Sequence, residues 1–258
     1  MNTINRQEYG LVLSGGGVRG VAHLGLIKAL DEQGISPSYI SGSSMGAIVG
    51  AFYAAGYGYE DILDFLQHTS LFSIQRFSYR KPGLIDTESF YDTFLKYFPD
   101  DRFEALEKTL FICATDMVHA RSRLFHKGPL IRTILASAAF PGMFSPVVVD
   151  ERLYADGGII NNFPIEPLLG HCDKIIGCHV NPLKKVSAEE LASTTTFLER
   201  AYNIGRNSMT EIKFHHCDLL VAPPNLEKYG TFDTSQIDEV FQLGYEATKE
   251  ALKGLEKE

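Results

Sequence analysis

Two glycine-punctuated turns, each at the end of a short apolar run, constrain this chain more than any other feature. The first is Ser14-Gly15-Gly16-Gly17-Val18-Arg19-Gly20 after Leu11-Val12-Leu13, and the second is Gly42-Ser43-Ser44-Met45-Gly46 after Tyr39-Ile40-Ser41. Short apolar runs that end in glycine are the mark of buried parallel strands. Behind the first turn Val21, Leu24, Ile27 and Leu30 recur at helical spacing, and Gly34 supplies the stop. Behind the second, a helix over 44–55 closed by Gly56 is rich in glycine and alanine, so it can pack close to a sheet. Strand, helix, strand, helix with a right-handed crossover is the expected opening, and the expected fold class is α/β.

The remainder extends that pattern. Helices are expected over 18–33, 59–68, 87–97 (capped by Asp86 or Thr87), 129–139, 188–214 with fraying near 193–196, and 235–253. Pro129 is placed in the first turn of its helix. Strands are expected over 110–115, 122–126, 174–180 and 218–221, with a hairpin of 146–149 and 152–154 around Asp150-Glu151. The chain has 258 residues, enough for one large core, and the nearest thing to a linker, 181–187, is too short to separate units. One domain over 1–258 is therefore expected.

Composition narrows the function classes. A hydrophobic share of 45% and a charged share of 22% suit a soluble globular chain, and a net charge of −8 argues against nucleic-acid binding. Cys113, Cys172, Cys178 and Cys217 read as free thiols of a reducing compartment. The chain shows neither the apolar core of a signal peptide nor a run long enough to span a bilayer. A cytoplasmic protein is expected, peripheral at most to the inner membrane face.

The two turns also carry chemistry. Gly42-Ser43-Ser44-Met45-Gly46 fits G-x-S-x-G between a strand and a helix, the context that raises a serine hydroxyl on a strained turn above a helix N-terminus. The same residues could simply cap the helix through Ser43 or Ser44. The backbone N–H groups around Gly16, Gly17 and Val18 could receive an oxyanion. That loop also fits G-x-G-x-x-G, a dinucleotide signature, yet the second strand ends in Ser41-Gly42-Ser43-Ser44 where such a site wants an acid. Arg19 could orient the loop or neutralise a phosphate. For a base, His171, His179, His215 and His216 are formally available, but none has the loop context of a catalytic histidine. Asp156-Gly157-Gly158, directly after a strand and ahead of Asn161-Asn162-Phe163-Pro164, is the alternative, although an exposed turn explains an Asp-Gly pair too.

These motifs in this order, with Ala136-Ser137-Ala138-Ala139-Phe140-Pro141-Gly142-Met143-Phe144 between them, resemble the patatin-like phospholipases over at least 11–164. The resemblance implies a three-layer α/β/α fold with a mainly parallel central sheet. It further implies a Ser44–Asp156 dyad without histidine, and an oxyanion hole in the glycine loop (Gly15, Gly16, Gly17, Val18). Arg19, Gly20, Gly42, Gly46, Gly157 and Gly158 would support that site. The implied activity is calcium-independent hydrolysis of lipid esters through an acyl-enzyme, with a lipid at a membrane or micelle surface as partner and no cofactor. A small-molecule esterase or thioesterase on the same dyad is the alternative among enzymes, and a catalytically silent lipid- or nucleotide-binding protein the alternative of another class. Ser43 stands where threonine is common, and Ser14 where many plant-type members carry aspartate.

Two segments remain. Residues 71–81 mix aromatics with three cations and could form a lid or membrane-contact loop, or could simply cover the core. His171-Cys172, Cys178-His179 and His215-His216-Cys217 invite a zinc reading, but neighbours on a strand point to opposite faces. No metal is expected.

Overall fold

The computed structural model describes residues 7–69, 82–183 and 185–255. Among them, eight strands form a single mixed sheet: β1 (Tyr9–Leu13), β2 (Tyr39–Ser43), β3 (Thr109–Asp116), β4 (Arg121–Phe125), β5 (Val147–Val149), β6 (Arg152–Asp156), β7 (Lys174–Cys178) and β8 (Leu219–Val221). Their order is β5-β6-β3-β2-β1-β7-β8, with β4 also paired to β3. The run from β3 through β8 is parallel throughout. The pairings β3–β4, β3–β6 and β5–β6 are antiparallel.

Seven α-helices accompany the sheet: α1 (Ala22–Glu32), α2 (Met45–Ala54), α3 (Tyr59–His68), α4 (Tyr91–Leu95), α5 (Leu130–Ser137), α6 (Thr194–Glu211) and α7 (Ile237–Leu255). Strand alternation sorts the core. Leu11, Leu13, Ile40, Leu110, Ile112 and Ile176 join a large cluster with side chains of α1, α2, α3, α5 and α7. Val12 and Ile175 point the other way and meet Phe163, Ile165 and Leu168. That second face is covered by short turns, including the 3-10 turn Glu166–Leu168, and by Phe214, edge-on to Phe163 at 5.5 Å. The α/β class and the mainly parallel sheet are as the sequence leads one to expect; the cover on the second face is the thinner one.

Three local expectations shift. The first helix begins as a 3-10 turn over Gly17–Val21 and becomes α-helical only at Ala22, because the glycine turn ahead of it is not helical. The helix expected over 188–214 breaks at Ser193, whose extended backbone lets its hydroxyl accept the Thr196 N–H and cap α6. Pro129 precedes the helix it was placed in: its ψ of 118° makes it the N-cap of α5. The 146–154 hairpin forms, and Asp150 and Glu151 both have positive φ, as a tight two-residue loop between twisted strands requires.

One arrangement positions the site. β2 pairs with Thr109–Cys113 of β3, and β4 and β6 both pair with its last residues. A strand has two edges, so β2 and β6 must share one of them, end to end. They run in opposite directions, and their C-termini converge: Ser43 lies opposite Cys113, and Asp156 opposite Ala114. The residue after β2 and the last residue of β6 are thereby neighbours.

Candidate active site

Ser44 is the residue that turns the chain from β2 into α2. Its backbone adopts φ 53° and ψ −123°, a region that residues with a side chain rarely enter. The turn is braced from outside: the Ser44 N–H donates to Ser137 Oγ at 2.9 Å, and the Ser137 hydroxyl donates to the Cys113 carbonyl at 2.6 Å. Close packing requires the flanking glycines. A Cβ on Gly46 would lie 2.2 Å from the Leu13 carbonyl oxygen, and one on Gly42 would lie 2.3 Å from that of Gly46. The α2 N-terminus therefore sits directly on β1 and β2, with its positive end beneath the half-buried Ser44 side chain.

The Ser44 hydroxyl donates to Asp156 Oδ2 at 2.7 Å. Asp156 is 1% exposed, and its Oδ1 accepts the Gly158 N–H at 2.6 Å. Its own N–H and carbonyl are held by the Ala139 carbonyl and the Thr115 hydroxyl. Burial dominates its titration and lifts the carboxyl above the usual carboxylate range. The hydrogen bonds from Ser44 and Gly158 and the Arg206 guanidinium pull the other way.

The glycine loop lies against this pair. A Cβ on Gly15 would come within 3.0 Å of the Ser44 Cβ. The Gly15 N–H donates to the Asn162 carbonyl at 3.2 Å, and the Asn162 amide donates back to the Gly15 carbonyl at 3.3 Å. The Val18 N–H is likewise engaged, by the Thr231 carbonyl at 2.9 Å. Of the four N–H groups expected to meet an oxyanion, those of Gly16 and Gly17 have no partner among the described residues. Gly17 has φ +59°, and a Cβ there would strike the Thr231 carbonyl oxygen at 2.2 Å. Arg19 points away and ties the loop down, donating to the Tyr229 carbonyl at 2.8 Å and to Asn181 Oδ1 at 2.6 Å. Gly20 makes room for Met45. With two of its donors engaged and Arg19 turned aside, the loop does not present the open amide cradle of a dinucleotide site.

Ser44 and Asp156 line a narrow cleft that opens to solvent. Its walls are apolar: Phe90 and Phe94 from the α4 region, Leu135 and Ala138 from α5, and Phe140, Phe144 and Phe232 from loops. A buried ring cluster backs them, with Phe52 between Phe65 at 4.6 Å and Phe98 at 4.9 Å.

No histidine hydrogen-bonds to Ser44 or Asp156 among the described residues. His171 lies against Tyr39, at the far end of β2. His215 and His216 face each other in an exposed turn. His179 is buried beside Phe214, and burial, then Arg206, lowers its pKa to about 4, so it stays neutral. Buried His23, lowered by burial to about 4, sets its Nε2 2.8 Å from the Ser14 carbonyl oxygen and steadies the start of the loop. Among the described residues no three His, Cys, Asp or Glu side chains converge as metal ligands would, and the four thiols are unpaired. The segment 71–81 lies outside the described residues.

Two site residues escape a sequence reading. Ser137, which braces the serine turn, stands in the Ala136–Phe144 segment that carried the resemblance without a role of its own. Arg206 is 6% exposed, lines the cleft and opposes the rise of the Asp156 pKa, yet sits mid-helix with no motif around it.

Residues 11–169 match the family model described as Patatin-like phospholipase. An uncharacterized NTE family protein of Mycobacterium tuberculosis is 37% identical over 179 residues, covering 66% of this chain and 48% of its own length. Lysophospholipase nte1 of Aspergillus niger is 28% identical over 286 residues, covering 98% of this chain and 18% of its own. The chain thus spans about half the length of the mycobacterial relative and less than a fifth of the fungal one. Among solved structures, VipD from Legionella pneumophila shares the fold, with a TM-score of 0.60 at 16% identity over 96% of this chain and 67% of VipD. No helix of the described residues is long and apolar enough to cross a membrane.

Proposed function

The chain belongs to the patatin-like phospholipase family, and from that premise we propose that it is a serine hydrolase of lipid esters working through Ser44 and Asp156. The observation that carries this reading is the 2.7 Å hydrogen bond from a strained serine to a buried carboxylate on the wall of an apolar cleft. The cleft takes an acyl chain. Ser44 Oγ attacks the ester carbonyl carbon while its proton passes to Asp156 Oδ2, and the tetrahedral oxyanion is received by the Gly16 and Gly17 N–H groups. Asp156 then gives the proton to the departing alcohol, leaving an acyl-Ser44 ester. Water attacks that ester, Asp156 takes its proton, and the proton returns to Ser44 as the fatty acid leaves.

An aspartate is a weak base in water, with a reference pKa of about 3.9. Burial raises it above that value and dries the hydrogen bond to the hydroxyl, so proton transfer can accompany C–O bond formation. The Gly158 N–H on Oδ1 fixes which oxygen faces the serine.

The test is covalent labelling by a fluorophosphonate, read by intact mass, together with fatty-acid release from a lysophospholipid. One adduct and release by the native chain, with neither in Ser44→Ala, is the expected result. An adduct on Ser44→Ala, or no adduct on a folded native chain, would overturn the assignment.

A further inference from the structure

Helix α6 is built inside out. Arg206, Asn207 and Thr210 are buried, at 6%, 1% and 1% exposure, while Phe197, Leu198, Ile204, Met209 and, just past its end, Ile212 are 49–62% exposed. At 3.6 residues per turn the five apolar residues fall on one arc of about 140°, where an ordinary surface helix would hold its core-facing stripe. Between them on the arc lie Ala201, Gly205 and Ser208, so it carries no charge. The inward face is polar, and its Arg206 lines the cleft beside Asp156.

We infer that the outward face of α6 docks on the surface of a neutral or zwitterionic lipid aggregate and brings the cleft to its substrate. The inference rests on the hydrolase reading above. Three observations favour a lipid surface as the occupant. First, the apolar arc is continuous with the cleft: Tyr202, at its border, packs edge-on against Phe140 at 5.2 Å, and Phe140 packs against Phe232 at 5.6 Å. Phe140 and Phe232 line the cleft, so a chain of packed aromatic rings links the α6 face to the cleft wall. Second, five side chains so exposed leave roughly 500 Å² of apolar surface, the size of the largest patch on a typical monomer, which is often functional. Third, the arc has no charge to pair, and a net charge of −8 disfavours anionic membranes.

The experiment is co-sedimentation of the full chain with phosphatidylcholine vesicles, comparing the native protein with Phe197→Ser/Leu198→Ser/Ile212→Ser. None of the three residues lines the cleft, and fluorophosphonate labelling serves as the check on folding. The variant is expected to lose at least ten-fold in vesicle-bound fraction and in release of fatty acid from vesicle-borne lipid. Turnover of a soluble short-chain ester should stay within two-fold. Equal sedimentation of variant and native chain would overturn the proposal. So would a native dimer in sedimentation velocity that the variant splits without any vesicle binding. Vesicle binding lost in the variant with no ester hydrolysed by the native chain would uphold the docking face and sink the hydrolase reading.

Discussion

Replacing Asp156 with asparagine separates two consequences of burying a carboxylate. The substitution is close to isosteric, and its side-chain oxygen can still accept the Gly158 N–H. What it removes is the proton acceptor 2.7 Å from Ser44 Oγ. A positioned general base contributes about 10²–10⁴-fold, or roughly 3–5 kcal/mol of barrier, so kcat on a soluble ester should fall by that factor. Stability should move the opposite way. Burial raises the folded-state pKa of Asp156, so the fold holds this proton after the unfolded chain has released it. As pH rises from the ordinary carboxylate range, near 3.9, the native protein loses stability through this group until the raised pKa is passed, and the loss then stays constant. Asparagine has no proton to lose. The difference in Tm between Asp156→Asn and the native protein should therefore open in favour of the variant as pH climbs through that window, and level off above it. Thermal scans at half-unit pH steps, paired with ester turnover at each pH, give both readouts. A variant that retains most turnover would refute the base assignment. A Tm difference that closes with rising pH would refute the claim that burial dominates this carboxyl.

Three further outcomes follow from the same geometry. Gly17→Ala keeps the backbone N–H but places a Cβ on a residue at φ +59° against the Thr231 carbonyl oxygen. The conformation alone costs about 1–2 kcal/mol, and the shift of the loop that relieves the clash moves the N–H off the oxyanion, so kcat should fall by up to about 10²–10³-fold, read by steady-state kinetics. Ser137→Ala leaves the Ser44 N–H and the Cys113 carbonyl without their shared partner; urea unfolding should show a loss of about 1–3 kcal/mol, with slower fluorophosphonate labelling. Arg206→Met removes the cation that opposes the rise of the Asp156 pKa, so the acidic limb of the kcat/KM profile should move to higher pH, and an unmoved limb would remove Arg206 from the electrostatics of the dyad.

The parallel half of the sheet was legible because buried strands write themselves as short apolar runs; in β1 and β2 glycine turns close them, and in β7 Ile175-Ile176 carries the run. Ser44 was legible for a related reason: its glycines are demanded by contacts at 2.2–2.3 Å, which no side chain could survive. Asp156 was different. An Asp-Gly-Gly after a strand fits any turn, and only the order of motifs singled it out; the pairing of β6 beside the end of β2 is a long-range fact that no local pattern encodes. Of the oxyanion loop, spacing gave the glycines but could not tell that distant carbonyls, of Asn162 and Thr231, take the N–H groups of Gly15 and Val18. Arg206 was hidden because periodicity reports that a helix has an apolar stripe, not which way the stripe points. In α6 it points outward.

The convergence of β2 and β6 on one edge of β3 makes Ser44 a witness to assembly. Ser44 and Asp156 stand 112 positions apart, and each is placed by its register on the same strand. Neither the N-terminal strand–helix units nor the 147–156 hairpin holds the pair alone, so on the proposed mechanism the serine should stay unreactive until β3 has taken both neighbours. A nascent chain that has not yet supplied β6 should thus be silent toward esters, and the rate at which a refolding sample becomes sensitive to fluorophosphonate should clock the closure of that edge.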